Sequence, residues 1–427
     1  MLSSRLPDAL RYRLYRSSAL LGLAVVTASL GGACGDDVTD GSGGEGGASS
    51  SSSSSVGGAG GEAGGSEAYD WGLPPGYPKP RVPADNPMSA AKVELGRRLF
   101  YDTRLSGNQT QSCASCHEQA LAFTDGLAVS VGSTGEQTPR SSMSTVNTGY
   151  LSSLTWANSN LSSIAIESGL LLETQAMVPL FGEDPVELGL SGMDEVMLER
   201  LRAEPVYQAA FPAAFPDESD PFSLQSVLYA LAAFQRSILS YRSAYDRYNY
   251  GGDPTALSAS ALRGRELFFG ERLECFHCHG GFNFSDSVAH EGTTFDEVMF
   301  HNNGLYNVGG TGDYPEDNTG LYELTGVPSD MGRFRAPSLR NIALTAPYMH
   351  DGSIATLSEV LDHYAAGGRT IETGPYAGDG SQNPYKSELI AGFTLTEEER
   401  ADVLAFLESL TDEALLTDPR WSNPWKE

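Results

Sequence analysis

Two short stretches of the chain place two thiols and an imidazole in the same order. Each has cysteines three positions apart and a histidine directly after the second cysteine, at residues 113–117 and 275–279. Two thiols one turn apart can add to the two vinyl groups on one edge of a porphyrin, and the next side chain then lies beneath the ring, where an imidazole nitrogen can bind iron. The pattern predicts two covalently bound haem c groups. The attachment residues are Cys113, Cys116, Cys275 and Cys278, and the iron ligands beneath the rings are His117 and His279.

Structural zinc is the alternative use of paired cysteines. Zinc sites built from two Cys-x-x-Cys units usually separate them by about 15 to 20 residues. Here the two pairs are more than 150 residues apart, and each is followed by a histidine. The spacing therefore favours haem over zinc. His277, inside the second motif, has no place in the pattern and is interpreted as incidental.

A repeat flanks the two motifs and indicates which elements position them. The sequence GRRLFY at residues 96–101 precedes the first motif, and GRELFF at residues 264–269 precedes the second. Each block follows a predicted helix start, at Ser89 and at Ser258. Both halves close with a predicted amphipathic helix, at residues 223–239 and 396–410, and the second opens with a capping box.

Strand signals are weak throughout, and residues 141–165 and 280–345 have the composition of loops. We therefore predict a mainly α fold. It would consist of two cytochrome-c-like helical haem domains related by internal duplication, with loop-rich insertions and one haem in each copy. The predicted domains are residues 69–250 and 251–427, divided at a Gly- and Pro-containing turn.

The N-terminus has the composition of an export signal. Four arginines precede a short apolar stretch, residues 19–30, that is too short to span a membrane. Small residues then lead to Cys34, as in bacterial lipoprotein signals, although Leu30 lies four rather than three positions before the cysteine. Residues 1–34 are therefore a predicted export signal to the periplasm, since bacteria attach c-type haem outside the cytoplasm. Lipidation of Cys34, which would tether the protein to a membrane, is a further prediction.

Composition also predicts a linker and excludes some classes of partner. Residues 35–68 are mainly glycine and serine and predict a flexible linker, because they offer too little apolar surface to offset the cost of ordering. The net charge of −28 at pH 7 argues against nucleic acid or an anionic membrane surface as a partner.

The motifs and their surroundings resemble the bacterial di-haem cytochrome c peroxidase and MauG superfamily, and most closely its MbnH-like branch. The matching segments are residues 99–122, 175–190, 261–284, 333–364 and the last helix, so the resemblance spans about residues 80 to 415. It implies a peroxidase-type oxidoreductase that uses hydrogen peroxide. It also implies that the N-terminal haem, at His117, reacts with peroxide and that the C-terminal haem, at His279, handles electron transfer.

The resemblance draws attention to the far side of the first haem. Many peroxidases of the family have a loop histidine there as a second iron ligand, and the matching position in this chain is Ser133. No histidine occurs between His117 and His277. Met143 and Met177 remain as alternative ligands, with no context that favours either. The resemblance to MauG-like members predicts a five-coordinate iron that is open to peroxide.

Peroxide cleavage needs a distal group that moves a proton from one oxygen to the other. The resemblance implies that Gln175 and Glu187 are this distal pair. Because the segment is two residues longer here, Glu183 or Asp184 could carry the acid instead. Trp156 matches a tryptophan that the family places between the haems as a relay for electron holes, and ordinary core packing is the alternative.

A predicted helix carries the candidate ligand on the far side of the second haem. Thr356 and Glu359 form a capping box that begins this helix, and Gly367 ends it. Helical periodicity places Tyr364 and two leucines on one inward face and turns His363 away from it.

The resemblance implies a role for this tyrosine. Peroxidases of the family have a methionine ligand at the matching position, and MauG-like members have tyrosine, so Tyr364 is the predicted second ligand of the second iron. A phenolate oxygen would lower the reduction potential, whereas a thioether would raise it. A packed core tyrosine, or Met349 as the ligand, are the alternatives.

Two further sites follow from the resemblance. The family commonly binds calcium between the haems, and the backbone carbonyls of Thr345 and Pro347 match two of its ligands, but Ser141 stands where the family has a side-chain amide. Arg335 and Arg340 could pair with haem propionates, with surface salt bridges as the alternative.

Three functions remain open from the sequence. The first is a peroxide-dependent oxidase that withdraws electrons from a partner protein, as in MauG-like and MbnH-like enzymes. The second is a cytochrome c peroxidase that takes electrons from a small donor cytochrome. The third is an electron-transfer cytochrome in which both irons are six-coordinate.

Overall fold

The computed structural model describes residues 69–157 and 169–426. The predicted export signal with Cys34 and the linker at residues 35–68 lie outside the described residues. Residues 158–165 of the loop-rich stretch 141–165 also lie outside them. The described residues belong to one compact unit. No helix within them is long and apolar enough to cross a bilayer. The division into two haem domains at residue 250 stays a prediction.

Helices and loops account for nearly all of the described residues, which confirms the mainly α prediction. The α-helices are α1 (Ala90–Phe100), α2 (Leu171–Gln175), α3 (Met177–Phe181), α4 (Asp194–Ala203), α5 (Pro205–Ala214), α6 (Leu224–Ser237), α7 (Ala244–Asn249), α8 (Ala259–Phe268), α9 (Cys275–Cys278), α10 (Tyr322–Thr325), α11 (Leu357–Ala365) and α12 (Glu397–Glu408). Short 3₁₀ helices lie at Thr103–Leu105, Cys113–Ser115, Gln119–Leu121, Thr148–Tyr150, Glu316–Asn318, Pro328–Asp330, Ile342–Leu344, Gly380–Gln382 and Glu413–Thr417.

The strands are minimal. In the described residues, β1 (Thr370–Ile371) pairs antiparallel with β2 (Gly378–Asp379), and Thr370 lies opposite Asp379. Most of the predicted loop-rich stretch 280–345 is irregular, as expected.

The predicted helix starts are confirmed by their caps. The side-chain oxygen of each capping residue accepts a hydrogen bond from a backbone N–H of the first turn, which satisfies a donor that has no partner inside the helix. These capping residues are Ser89 for α1, Ser223 for α6, Ser258 for α8, Thr356 for α11 and Thr396 for α12. The predicted capping boxes of α11 and α12 are both formed.

In the N-terminal half, α1 packs closely against α6. A Cβ atom added at Gly96 of α1 would lie 1.9 Å from the carbonyl oxygen of Ala230 in α6, so the two backbones can approach this closely only at a glycine. One turn further on, the ring of Phe100 packs against Phe234 of α6, with centroids 5.1 Å apart, and against Phe123, 6.2 Å away. Phe123 follows the first haem motif, so the helix pair holds the chain that carries the motif.

The C-terminal half repeats this arrangement with α8 and α12. A Cβ atom at Gly264 of α8 would lie 1.8 Å from the carbonyl oxygen of Asp402 in α12. The ring of Phe268 packs against Phe406 of α12 at 5.1 Å and against Phe284, after the second motif, at 6.2 Å. Each half therefore has a glycine at its helix crossing and three phenylalanines at corresponding positions, as the predicted duplication would give. The duplication itself stays a prediction.

The glycine crossings give a prediction in which two effects oppose each other. Helix propensity alone would make Gly264→Ala stabilising by up to about 1 kcal/mol. Because the added methyl group meets backbone, we expect α8 and α12 to be pushed apart and the free energy of unfolding to fall by about 1–3 kcal/mol. Urea denaturation of the haem-loaded protein measures the change. An unchanged or increased stability would contradict the close helix crossing.

Candidate di-haem site

The first motif holds its histidine by a backbone hydrogen bond. Cys113 begins a short 3₁₀ helix, and the Nδ1 atom of His117 lies 3.0 Å from the carbonyl oxygen of Phe123. Since a carbonyl can only accept, Nδ1 carries the hydrogen and Nε2 is left as the lone-pair nitrogen. Phe123 has a φ angle of 61° and is fully buried. The imidazole is therefore fixed in the tautomer and orientation that an iron ligand needs.

The second motif has the same construction. The two thiols lie on α9, and the Nδ1 atom of His279 is 3.2 Å from the carbonyl oxygen of Phe284, which has a φ of 51° and is also fully buried. Burial lowers the pKa of both His117 and His279, because it disfavours the charged ring. Both rings are therefore neutral, the form that binds metal. These features fit a proximal histidine in each half.

The thiols also fit haem attachment better than zinc. All four motif cysteines are free rather than disulfide-bonded, and burial raises the pKa of Cys113 and of Cys275 to about 12. The structure places no group of His, Cys, Asp or Glu ligands across the two cysteine pairs within the described ranges. A zinc site shared by the two pairs is therefore not formed.

A cleft lies between the two sites and is lined by residues that contact the histidine of each motif. At one side, the Oγ atom of Ser142 lies 3.3 Å from Nδ1 of His117. At the other, Pro337 contacts the ring of His279 through its backbone. Other residues that line the cleft include Met143, Trp156, Arg335, Thr345, Pro347 and Met349.

The loop that carries Ser133 is bound to the segment that carries Glu187. The backbone N–H of Ser133 donates to the carbonyl oxygen of Glu187 at 2.7 Å, and Glu136 Oε2 accepts from the backbone N–H of Val186 at 2.9 Å. A Cβ atom at Gly132 would lie 1.9 Å from the carbonyl oxygen of Val186, so the two backbones touch. The position that holds a histidine in many peroxidases of the family is therefore a serine here, and its backbone is hydrogen-bonded to the backbone of the predicted distal acid.

The three candidate acids differ in their surroundings. Glu183 and Asp184 are exposed, and Glu183 accepts a hydrogen bond from a neighbouring serine. Glu187 is half-buried, lies within electrostatic reach of the thiols of Cys113 and Cys116, and has its pKa raised by burial. Of the three, Glu187 is the one placed beside the first cysteine pair.

The other residues predicted on the far side of the first haem, Gln175, Met177 and Met143, differ in their contacts. Gln175 is half-buried at the C-terminal end of α2, directly before α3. Met177, the first residue of α3, packs against the hydrophobic core. Met143 lines the cleft, and its sulfur lies 3.4 Å from a guanidinium nitrogen of Arg335. The distal roles of these residues stay predictions.

Trp156 lines the cleft, and its predicted role as a relay between the haems stays a prediction. Its Nε1–H donates to the carbonyl oxygen of Ser141 at 3.0 Å, and its ring meets the ring of His350 at 6.4 Å and 71°. It also packs against the buried cluster that contains Leu305 and Tyr306. The ring thus has core contacts on one side and the cleft on the other, so relay and packing roles are compatible.

Tyr364 lies beside the second cysteine pair. Its phenol is within electrostatic reach of Cys275 and Cys278, and burial raises its pKa to about 12 while Asn303 contributes an opposing hydrogen bond. The side-chain amide of Asn303 also donates to the sulfur of Met349 at 3.4 Å. Both candidate ligands of the second iron therefore contact Asn303.

His363, predicted to turn away from the face of α11 that carries Tyr364, is nevertheless not exposed to solvent. Its side chain is only 4 % exposed, and burial lowers its pKa to about 4. The chain beyond α11 folds back over this face, where the backbone N–H of Gly368 donates to the carbonyl oxygen of His363 and Lys386 Nζ donates to that of Gly367. Helical periodicity could not show that a later loop covers the outer face.

The two candidate propionate partners have different surroundings, and neither is a surface residue. Arg340 forms a buried ion pair with Asp246, with nitrogen–oxygen distances of 2.9 and 3.0 Å. Arg335 is 3 % exposed, and its hydrogen bonds go to backbone carbonyls and to the sulfur of Met143. Burial lowers its pKa to about 10. Because a buried cation is costly without an anion, Arg335 is the better candidate for a propionate partner.

The predicted calcium ligands Thr345 and Pro347 both line the cleft, together with Ser141. The hydroxyl of Ser141 donates to the carbonyl oxygen of Met349 at 3.1 Å, and its own carbonyl accepts from Trp156. Ser141 therefore hydrogen-bonds to two other residues that line the cleft. A calcium ion at this place stays a prediction.

Sequence reasoning missed several residues of the site. Phe123 and Phe284 supply the carbonyls that orient the histidines, and comparison of the two repeats could have found them, since each follows its histidine by five or six positions. Asn303 beside Tyr364, and the hydrogen-bonded pair of His301 and Asp286 next to the second motif, gave no local signal because chain folding alone brings them there.

The chain is similar in sequence to known di-haem peroxidases and MauG proteins. Residues 90–255 match the family model described as di-haem cytochrome c peroxidase. A cytochrome-c peroxidase named IdrP1 from Denitromonas iodatirespirans is 38 % identical over 378 residues, which cover 84 % of this chain and 92 % of that protein. The methylamine utilization protein MauG from Methylorubrum extorquens is 33 % identical over 348 residues, covering 81 % of this chain and 85 % of that protein.

A solved structure is similar over almost the same length. The crystal structure of a MauG-like protein associated with microbial copper homeostasis has 52 % sequence identity and a TM-score of 0.79, and the match covers 84 % of this chain and all of that one.

The position of Tyr364 predicts a change in reduction potential. Replacing a phenolate by a thioether in Tyr364→Met should raise the potential of the second haem, on the order of a few hundred millivolts given the roughly 0.8 V range that axial ligands control. Spectroelectrochemical titration of the two haems measures it. Met349→Leu serves as the control for the alternative ligand and should leave the potential nearly unchanged. The reverse pattern, in which Met349→Leu moves the potential and Tyr364→Met does not, would identify Met349 as the ligand.

Proposed function

Because the chain belongs to the family of di-haem cytochrome c peroxidases and MauG proteins, which are peroxide-using oxidoreductases with two haem c groups, we propose that it uses hydrogen peroxide to oxidise a side chain of a partner protein. The observation that carries this proposal is the distal side of the first site. There the half-buried Glu187 lies beside the first cysteine pair, and the loop packed against it has Ser133 in place of a histidine. In many peroxidases of the family a histidine at the matching position binds the first iron, and serine in its place would leave that position free for peroxide.

The residues of the first site suit a proton transfer. A haem held by the first motif supplies an iron at which peroxide can be reduced. Glu187, as carboxylate, accepts the proton of the inner peroxide oxygen and passes it to the outer oxygen, which leaves as water. The amide of Gln175 would hold the bound peroxide in place. Two electrons from the partner's side chain, with two protons taken up from solvent, complete the reduction of one peroxide to two waters.

The second site has a storage role in this proposal. Tyr364 would hold the second iron through a phenolate oxygen, which would stabilise oxidised states of the metal, and Trp156 at the cleft would link the two sites. The 52 % identity to a structure described as a MauG-like protein supports this role. The sequence signals for export place the protein in the periplasm, with Cys34 as a lipid attachment point.

Cytochrome c peroxidase activity is the second candidate. It is favoured by relatives of similar length that carry that name, with 36–38 % identity. In this case a small donor cytochrome would return electrons through the second haem, and peroxide removal would be the purpose of the reaction.

Glu187→Gln tests the proton transfer. The amide has nearly the same shape but cannot accept a proton, so we expect the rate constant of the reaction with peroxide to fall by about 10²- to 10⁴-fold. Stopped-flow absorbance with one equivalent of peroxide measures it. Glu183→Gln, at an exposed acid of the same segment, is the matched control and should react like the wild type. Equal losses in both variants, or none in either, would remove Glu187 from the role of distal acid.

The raised pKa of Glu187 predicts the acid limb of the pH profile. Only the carboxylate accepts a proton, so the rate constant should fall as the pH drops through the pKa of Glu187. Because burial raises that pKa, the limb should lie above the value of about 4.3 for an exposed glutamate. The limb should vanish in Glu187→Gln, and a limb that persists unchanged would assign it to another group.

The two candidate functions differ in the step after peroxide reduction. The partner-oxidising enzyme should form a long-lived oxidised state with one equivalent of peroxide and turn over slowly with reduced cytochrome c. Rapid steady-state oxidation of cytochrome c, with no long-lived oxidised state in its absence, would favour the peroxidase instead.

A further inference from the structure

A row of aromatic rings connects Trp156 at the cleft to the protein surface. The ring of Trp156 contacts His350 at 6.4 Å, His350 contacts Tyr314 at 6.3 Å, Tyr314 contacts Tyr306 at 5.4 Å, and Tyr306 contacts Tyr376 at 5.9 Å, all between ring centroids. Tyr314 and Tyr306 are 4 % and 7 % exposed, whereas Tyr376 is 45 % exposed. These five residues, here called the aromatic row, run from the cleft through buried rings to solvent.

One member of the row is paired with a base. The hydroxyl of Tyr306 donates to the Oδ2 atom of Asp351 at 2.6 Å. Although burial opposes it, the neighbouring His350 and the hydrogen bonds from Tyr306 and Ser353 hold the pKa of Asp351 below its usual value, so the group is a carboxylate. The hydroxyl of Tyr314 instead donates to an amide oxygen of Asn302 at 2.9 Å, and an amide is a poor proton acceptor.

The pairing matters because a phenol loses its proton when it loses an electron. The guanidinium of Arg369 lies 4.8 Å from the centre of the Tyr306 ring, and a cation there disfavours a ring that keeps its proton and becomes positively charged. Oxidation of Tyr306 is therefore favourable only if the proton moves to Asp351 at the same time. The hydrogen bond to Asp351 is already in the geometry that this transfer needs.

We propose that Tyr306, with Asp351 as its proton acceptor, is a redox-active tyrosine that carries oxidising equivalents from the cleft at Trp156 to the exposed ring of Tyr376. The inference rests on the proposed function, since reduction of peroxide in the cleft supplies the oxidant. One electron leaves Tyr306 through Tyr314, His350 and Trp156 for the haem site that peroxide has oxidised. At the same time the phenolic proton of Tyr306 moves to Asp351 Oδ2. The neutral radical is then reduced by one electron from outside through Tyr376, and the proton returns.

This route specifies where the partner docks and which chemistry it needs. Because the row reaches solvent at Tyr376, the enzyme can withdraw the partner's electrons there without any partner side chain entering the cleft. The partner would present a one-electron donor, such as an exposed aromatic side chain, to the face around Tyr376. Two electrons per peroxide then pass along the row one at a time.

Tyr306→Phe is the direct test, because it removes the phenolic proton and keeps the ring. The haem-loaded protein is mixed with one equivalent of peroxide without a donor. Stopped-flow absorbance then follows formation and decay of the oxidised state, and freeze-quench EPR of protein containing ring-deuterated tyrosine detects a tyrosyl radical. We expect formation within twofold of the wild type, loss of the radical that deuteration identifies, and decay slowed at least tenfold.

Tyr207→Phe is the matched control. The hydroxyl of Tyr207 donates to Asp102 Oδ2 at 2.7 Å, and the residue is fully buried, so the same kind of hydrogen bond is lost. Its ring neighbours are Phe211 and Trp425, which are not members of the row. This variant should keep the radical and the decay rate of the wild type.

Two further variants keep the test independent of folding. Tyr376→Phe changes an exposed ring and should slow oxidation of a small external phenol at least tenfold, with normal formation of the oxidised state. Asp351→Asn removes the proton acceptor and should slow the decay as Tyr306→Phe does. If Tyr306→Phe and Tyr207→Phe both decay like the wild type, the aromatic row does not carry charge, although the proposed function stands. If the wild type forms no oxidised state at all, the proposed function and this inference both fail.

Discussion

In each candidate haem site, a hydrogen bond from the histidine to a backbone carbonyl fixes the orientation of the imidazole. The packing of the surrounding helices holds that carbonyl in place. Phe123 and Phe284 present their carbonyls to His117 and His279 from a left-handed backbone conformation, which costs on the order of 1–2 kcal/mol for a residue other than glycine. Complete burial of each ring, worth about 1.5–3 kcal/mol, offsets this cost. The glycine crossings at Gly96 and Gly264 bring together the helices that bury those rings.

The two sites are alike in this support and different on their far sides. The first faces Glu187, a proton acceptor held against the loop that contains Ser133. Beside the second cysteine pair lie Asn303 and Tyr364, the predicted iron ligand, whose pKa burial raises to about 12. The support of the histidines is therefore shared, whereas the proposed function assigns proton transfer to the far side of the first site and charge storage to that of the second. This division is what a peroxide-dependent oxidase requires.

The sequence predicted what depends on local pattern. Cap residues such as Thr396 and the helices that they begin are set by neighbours in the chain, and the structure agrees with them. Prediction stopped short where distant segments meet. Helical periodicity turned His363 away from the face that carries Tyr364 but could not show that the chain after α11 covers it, and the pairing of Arg340 with Asp246 joins residues 94 positions apart. Tyr306 and Asp351 gave no signal, because only tertiary folding makes them a pair.

The central claim is that the first iron has an open position and the second does not. An EPR spectrum of the resting ferric protein tests this most directly, because a five-coordinate haem with one histidine ligand is high-spin and a haem with two strong ligands is low-spin. We expect a high-spin signal from the haem at His117, and its loss when a small anion such as azide binds there. A resting spectrum with low-spin signals alone would show that both positions are filled, and would contradict the claim.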